Sequence, residues 1–115
     1  MLLTTQNCEA CKKGAPLATD EEIRAYLVQL QGWEIIDIDG VSRLNKTYQL
    51  KNFKQALQLT NQIGAIAEQE GHHPAILTEW GRVTVSWWTH KIGGLHVNDF
   101  IMAAKTDALM PDYFM

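Results

Sequence analysis

The chain has 115 residues, of which 46% are hydrophobic and 20% are charged, a composition typical of one globular domain. Its 10 basic and 13 acidic residues give a net charge of −3 without a lysine- and arginine-rich cluster, so nucleic-acid binding through phosphate contacts is not expected. No apolar run is long enough to cross a bilayer, and the first residues lack the basic and apolar regions of a signal peptide, which predicts a cytoplasmic protein.

Two cysteines, Cys8 and Cys11, form a Cys-x-x-Cys pair near the N-terminus. Such a pair can be a redox motif or half of a zinc site. A redox pair usually opens a helix after a strand, and a structural zinc usually needs four ligands; the sequence predicts no preceding strand and contains no second pair. Two free thiols in an N-terminal tail over residues 1–18 are the favoured interpretation, with zinc completed by histidines or by a partner chain as the alternative.

The first helix is predicted to begin at Thr19 and to end at Gly32. Thr19 can accept hydrogen bonds from the first free N–H groups, and Glu22 stands at the capping-box position. Apolar residues then recur at helical spacing from Ile23 to Leu30. These signals predict an amphipathic helix that follows directly on the tail.

A hairpin of two strands is predicted next, over Trp33 to Ile38 and Val41 to Gln49. Asp39-Gly40 between them is a turn signal, because glycine adopts positive φ at little cost and aspartate tolerates it.

The longest helix is predicted from Asn52 to about Glu70, with Gly71 as the residue that ends it. Gly64 inside it should lower helix stability, which close packing on a sheet would explain. The residues expected on its buried side recur at helical spacing: Phe53, Ala56, Leu57, Thr60, Ile63, Gly64 and Ala67.

A second pair of strands and a last helix complete the chain. The strands are predicted over Ala75 to Trp80 and Arg82 to Trp88, and the helix over residues 97–109. The fold class is therefore predicted as α+β, a four-stranded antiparallel sheet with three helices packed on one face (α-β-β-α-β-β-α), in a single domain over residues 19–115. Four tryptophans are hard to hide in so small a domain, which predicts a homo-oligomer.

Three of the four histidines are the main candidates for chemistry. His72 and His73 stand where the long helix ends and the third strand begins, and His90 follows the fourth strand. Imidazole gives and takes protons near neutral pH without special tuning. Glu68, one helical turn before His72, could bond a histidine and select its tautomer. The alternative is a structural pair at the negative end of the helix dipole.

Other polar residues have plain structural interpretations. Asp99, in the first turn of the last helix, would complement the helix dipole, and His96 suits a cap position. The tryptophans are more often core or interface residues than stacking surfaces. No H-x-x-H or HExxH zinc signature is present, so metal-dependent hydrolysis is not expected.

Seven residues stand at a recognisable spacing: Glu68, His72, His73, Pro74, Trp80, His90 and Asp99. Their order and spacing resemble the signature of the pterin-4a-carbinolamine dehydratases, and the Cys8-x-x-Cys11 tail is similar to the N-termini of bacterial members. The resemblance covers nearly the whole chain and includes the order of helices and strands. It departs at Phe100, where tryptophan is usual.

The resemblance implies an enzyme that dehydrates 4a-hydroxytetrahydrobiopterin, the pterin-4a-carbinolamine, to quinonoid dihydropterin. This recycles the pterin cofactor of aromatic amino acid hydroxylases. It implies catalytic roles for His72, His73 and His90, with the acid and base among the first two unassigned. The reaction needs no metal or other cofactor, and the implied partners are the pterin, a hydroxylase in function, and further copies of the chain in a homodimer or homotetramer.

The resemblance also implies a set of supporting residues: Glu68, Pro74, Trp80, Thr89 and Asp99. Glu68 would orient a histidine, Trp80 or the nearby main chain would flank the pterin ring, and Asp99 would hold His90 or a loop. Thr89 is a weaker candidate for a polar contact.

Two other functions compete with the enzyme. Relatives of this fold also serve as dimerisation partners of a transcription factor, so the chain could be a non-catalytic dimerisation or coactivator-type module. Retention of all three histidines favours the enzyme. A zinc-binding regulator built from the two cysteines and histidines is a third, weaker possibility.

Overall fold

The computed structural model describes residues 17–110, which form three helices and four strands in the predicted order. The elements are α1 (Asp20–Leu27), β1 (Glu34–Ile38), β2 (Val41–Gln49), α2 (Phe53–Glu70), β3 (Ala75–Glu79), β4 (Arg82–Trp87) and α3 (Val97–Asp107). The predicted α+β fold is confirmed. The predictions about Cys8 and Cys11 lie outside the described residues, and the domain boundary at residue 18 stays a prediction.

The four strands form one sheet in the order β1-β2-β4-β3, with every neighbouring pair antiparallel. One face is covered by the helices, and its side chains are buried in the core: Leu44, Tyr48, Val83, Val85 and Trp87. Alternate residues of β2 and β4 point to the other face. Trp87 pairs with Leu44 and is buried in the core. The following residue, Trp88, therefore lies on the face without helices.

Helix α1 is shorter than predicted and ends at Leu27. Backbone N–H groups of Gln29 and Leu30 donate to carbonyl oxygens only three residues earlier, at 2.9 and 3.0 Å. These tighter turns replace the α-helical pattern. They bring Leu30, which is 5% exposed, into the core.

The buried side of helix α2 agrees in part with the predicted one, since Ala56, Ile63 and Ala67 are buried. Its buried residues include Leu59, which was missed, whereas Phe53 and Leu57 are 44% and 43% exposed. Gly64 has no atom within 4 Å of an added Cβ, so the expected close packing of this glycine on the sheet is wrong within the described chain. The helix is instead fixed to β3 by hydroxyl groups, since Thr60 Oγ1 lies 2.6 Å from Thr78 Oγ1.

A polar cluster joins the end of α3 to the sheet. Asp107 accepts hydrogen bonds from the hydroxyl of Tyr48 at 2.5 Å, from Lys46 Nζ at 2.9 Å and from Trp33 Nε1 at 3.1 Å. Burial, the hydrogen bond to Asp107 and the charge of Asp107 raise the pKa of Tyr48 far above its ordinary value. The cluster therefore holds the tyrosine in its neutral form.

Replacing Tyr48 with phenylalanine is expected to make stability less sensitive to alkaline pH. Above the ordinary tyrosine pKa of 10.0, the native state keeps the Tyr48 proton and the unfolded state loses it. The free energy of unfolding of the wild type should therefore fall as pH rises past 10, by up to about 1.4 kcal/mol per pH unit from this group. Urea denaturation between about pH 8 and about pH 11 measures both slopes; equal slopes in the two proteins would contradict the expectation.

Within residues 17–110, no helix is both long and apolar enough to cross a membrane.

Candidate active site

The candidate site lies at the end of the sheet where α2 leads into β3 and where β4 leaves. Ala75 at the start of β3 pairs with Ser86 near the end of β4, so residues before β3 and after β4 meet there. His90 Nε2 lies 3.3 Å from the backbone oxygen of His73. The structure thus brings the three predicted histidines to one end of one hairpin.

The end of α2 sends the two adjacent histidines to different environments. Gly71 adopts the left-handed conformation, with φ 65°, and the backbone N–H of His72 donates to the oxygen of Ala67 at 3.1 Å. Such a turn commonly ends a helix, and glycine adopts it at least cost. The chain then extends towards Pro74, which disfavours helical geometry in the residue before it. His72 is 3% exposed, while the side chain of His73 is 58% exposed.

His72 forms a buried pair with Asp99. Nε2 of His72 lies 2.6 Å from Oδ1 of Asp99, and the two side chains are 3% and 0% exposed. The carboxylate can only accept, so the imidazole carries its proton on Nε2. The ring is also stacked on buried Trp87, with centroids 5.7 Å apart and planes at 9°. The ring of His72 is therefore held by a hydrogen bond at Nε2 and by the indole stacked on its face.

Asp99 is held in turn by the first turn of α3. Its Oδ2 accepts from the hydroxyl of Thr89 and from the backbone N–H of His96, each at 2.9 Å. His96 is the N-cap of the helix and accepts from the N–H of Asn98 through Nδ1. The proposed cap position of His96 is thus confirmed, and Asp99 completes the capping box.

Two expectations about this region are corrected. Asp99 was expected to hold His90 or a loop; its histidine partner is His72, and it does hold the loop before α3 through Thr89 and His96. Thr89 was a candidate for a polar contact with a ligand, but it is 1% exposed, and its hydroxyl donates its hydrogen bond to Asp99. Both residues support His72 from inside the fold.

His73 and His90 form the exposed part of the site. His73 Nε2 lies 3.0 Å from Glu68 Oε1, the contact expected for Glu68, with 81% of the Glu68 side chain exposed. His90 begins a short 3-10 turn and directs Nε2 to the His73 oxygen. In a neutral ring whose Nε2–H is donated, Nδ1 is the proton-accepting atom. Both exposed rings therefore have a defined orientation for proton transfer.

Trp80 does not join the histidines of its own chain. It lies at the tip of the β3–β4 hairpin and is 72% exposed. The five residues of β3 separate it from His73, a length of about 16 Å at the usual rise per residue. Within one chain Trp80 therefore lies away from the histidines, and the expectation that Trp80 or the nearby main chain flanks the pterin ring stays a prediction.

A cavity of about 590 Å³ lies elsewhere, between the end of α1 and β2. Its lining includes Val28, Lys46, Tyr48 and Asp107, and none of the three histidines. The histidine cluster is the better candidate for a catalytic site. The charges of Lys46 and Asp107 beside the cavity neutralise each other at 2.9 Å, whereas the histidines offer proton-transfer groups at the surface. Among residues 17–110, no three histidine, cysteine, aspartate or glutamate side chains converge as metal ligands.

Comparison with known proteins gives a consistent likeness. A family model described as "Pterin 4 alpha carbinolamine dehydratase" matches residues 16–109. Proteins named as candidate pterin-4-alpha-carbinolamine dehydratases are 63% identical in Syntrophotalea carbinolica and 57% identical in Nitrosococcus oceani, each match covering 94% of this chain and 96% of the relative. The crystal structure of a "transcriptional coactivator/pterin dehydratase" from Brucella melitensis has a TM-score of 0.75 at 29% identity, covering 84% of this chain and 100% of that one.

Proposed function

Because the chain belongs to the pterin 4 alpha carbinolamine dehydratase family, we propose that it dehydrates 4a-hydroxytetrahydropterin to quinonoid dihydropterin by histidine acid–base catalysis. The observation that carries the proposal is the meeting of His73 and His90 at one exposed end of the sheet, above the buried His72–Asp99 pair. The reaction would return the oxidised cofactor of an aromatic amino acid hydroxylase to use, in the cytoplasm.

The chemistry requires two proton transfers. Hydroxide leaves C4a as the proton leaves N5, so that one water molecule is released and the C4a–N5 double bond forms. An acid must protonate the departing oxygen, and a base must accept the N5 proton. Two imidazoles suit this task near neutral pH. We assign the two roles to His73 and His90, because their rings are exposed and each has a protein partner that orients it.

His72 has a supporting part in this mechanism. Only 3% of its surface is exposed, so it has little surface with which to contact a pterin ring. It is placed to fix the backbone that carries His73. Its hydrogen bond to Asp99 and its stacking on Trp87 hold the turn between α2 and β3 in place. Pro74 stiffens the exit from that turn and keeps His73 extended.

The rate of dehydration of 4a-hydroxytetrahydropterin tests the proposal, followed by ultraviolet absorbance in the presence and absence of the protein. We expect the protein to accelerate a step that already proceeds slowly in buffer, since proton transfer contributes on the order of 10²–10⁴-fold. A rate equal to that in buffer, with folded protein, would remove the enzymatic interpretation.

The alternative function is a coactivator-type protein-binding module. It is favoured by the name of the Brucella melitensis structure, which includes a transcriptional coactivator. The exposed apolar side chains of Phe53 and Leu57 on α2 offer a surface for a partner helix. The rate measurement separates the alternatives, because a module without catalysis would leave the dehydration rate at its value in buffer.

We also propose that the protein assembles as a homodimer or homotetramer. Trp80 and Leu77 are 72% and 57% exposed, and Gly64 on α2 has open space where a second helix could approach closely. Exposed apolar groups of this size commonly mark interfaces. Light scattering of the purified protein would report the assembled mass.

A further inference from the structure

Trp88 lies on the sheet face that carries no helix and contacts His90, one of the two exposed histidines. Its ring lies 4.3 Å from the ring of His90, tilted by 33°. The guanidinium carbon of Arg43 lies 3.9 Å from the centroid of Trp88. The indole is therefore in contact with a cation and with an imidazole that the mechanism uses, although the motif that identifies the family does not include Arg43 or Trp88.

The fold sets this arrangement through the pairing of β2 with β4. Leu44 pairs with Trp87, so the preceding residue of β2 and the following residue of β4 come together on the opposite face. Both Arg43 and Trp88 are half-buried. Arg43 lies within β2 and Trp88 is the first residue after β4. Both are therefore held beside the two central strands of the sheet, which restrains the position of the indole.

Arg43 has a second feature that points to the indole. Its Nε atom is buried and has no hydrogen-bond partner among residues 17–110. A buried donor without a partner lowers stability unless another interaction compensates for it. The π face of Trp88 is such an interaction, because a cation over an indole is attracted more strongly when it is desolvated. Arg43 is thus held by Trp88 and restrains it in return.

We propose that Trp88 is a positioning residue for His90, with Arg43 as the clamp that fixes the indole. This inference rests on the proposed function, in which His90 transfers a proton to or from the pterin. His90 itself follows β4 in a short turn. Among the described residues, its side chain has one hydrogen bond, the 3.3 Å contact of Nε2 with the His73 oxygen. The tilted ring contact with Trp88 supplies the second restraint that a ring needs to keep its orientation.

Loss of this support should act on the chemical step more than on binding. A displacement of about 1 Å of a catalytic group can lower a rate on the order of 100-fold. A residue that only orients the group should lower kcat while KM stays nearly the same. An aromatic ring of another kind should restore most of the effect, since it also offers a stacking face.

The test compares three variants: Trp88→Leu, Trp88→Phe and, as a matched control, Arg82→Met, an exposed residue at the other end of β4. We expect kcat to fall on the order of tenfold in Trp88→Leu with little change in KM, and to recover in Trp88→Phe. In NMR spectra, the ring protons of His90 should move downfield in Trp88→Leu, because the indole no longer shields them. Arg82→Met should change neither kcat nor the His90 signals, because its exposed ion pair with Glu79 contributes little to the fold.

Other outcomes overturn the proposal. Unchanged His90 signals or an unchanged kcat in Trp88→Leu would show that the indole does not position the imidazole. Should Trp88→Leu fail to fold, Arg43→Met provides the second variant, and it should shift the same signals and lower kcat in the same direction. If the wild-type protein has no dehydratase activity, the proposed function fails, while the NMR comparison still decides whether Trp88 restrains His90.

Discussion

Replacing His73 with alanine is expected to lower the dehydration rate on the order of 10²–10⁴-fold, the usual contribution of one general acid or base. More than half of the His73 side chain is exposed, and its side-chain partner is the more exposed Glu68. Removal of the ring should therefore leave the fold intact. The rate is measured by ultraviolet absorbance beside wild type, and circular dichroism checks that both proteins are folded.

Two further variants sharpen the His73 result. His90→Ala should lower the rate in a similar way, because the mechanism needs both an acid and a base. Glu68→Gln should lower it much less, since the amide oxygen of glutamine can still accept a hydrogen bond from His73 and keep its ring oriented. A His73→Ala protein that keeps the wild-type rate would exclude His73 from the chemistry.

Replacing Asp99 with alanine is expected to lower the free energy of unfolding by about 3–5 kcal/mol, the usual result when one member of a buried pair is removed. The carboxylate is fully buried and serves three donors, on His72, Thr89 and the backbone of His96. Without it, these donors remain buried and lose their acceptor. Urea denaturation of the variant and the wild type measures the difference.

A matched comparison isolates the effect of burial. Glu68→Ala removes the carboxylate of the other carboxylate–histidine pair, which is exposed, and should change the free energy of unfolding by less than about 1 kcal/mol. Asp99→Asn keeps the volume and part of the acceptor capacity, so its loss should lie between the other two. Similar losses in Asp99→Ala and Glu68→Ala would contradict the structural role given to Asp99.

Local signals in the sequence predicted most of the fold. The capping box of Thr19 with Glu22 is present at the start of α1, and Asn52 caps α2 by accepting from the N–H of Gln55. Asp39 and Gly40 both have positive φ in the turn between β1 and β2, as the hairpin signal requires. These features depend on residues within a few positions of one another, and therefore they can be read from one chain.

The contacts between distant segments could not be read in this way. His72 and Asp99 are separated by 27 positions, and only the packing of α3 against the end of β4 makes them neighbours. The predicted strand from Ala75 to Trp80 already places Trp80 at the end away from His73, but the sequence does not say what packs on it there. The motif thus gave the right residue types and left their partners open.

The tryptophans show why composition alone was an incomplete guide. Trp33 and Trp87 are 6% and 0% exposed, because the core of one chain has room for both beneath the helices. Trp88 is half-buried under Arg43, and Trp80 is the one that stays largely exposed. The homo-oligomer that four tryptophans predicted therefore now depends on Trp80 and on the exposed side of α2.

The proposed function requires the pterin to bind beside His73 and His90 and not in the cavity near Asp107. The most direct test is an NMR titration of the protein with biopterin, a stable oxidised pterin, following the imidazole signals and the indole N–H of Trp33, which donates to Asp107. If the pterin binds at the histidines, the His73 and His90 signals move and the Trp33 signal does not. Movement of the Trp33 signal with unchanged histidines would place the ligand in the cavity and contradict the account.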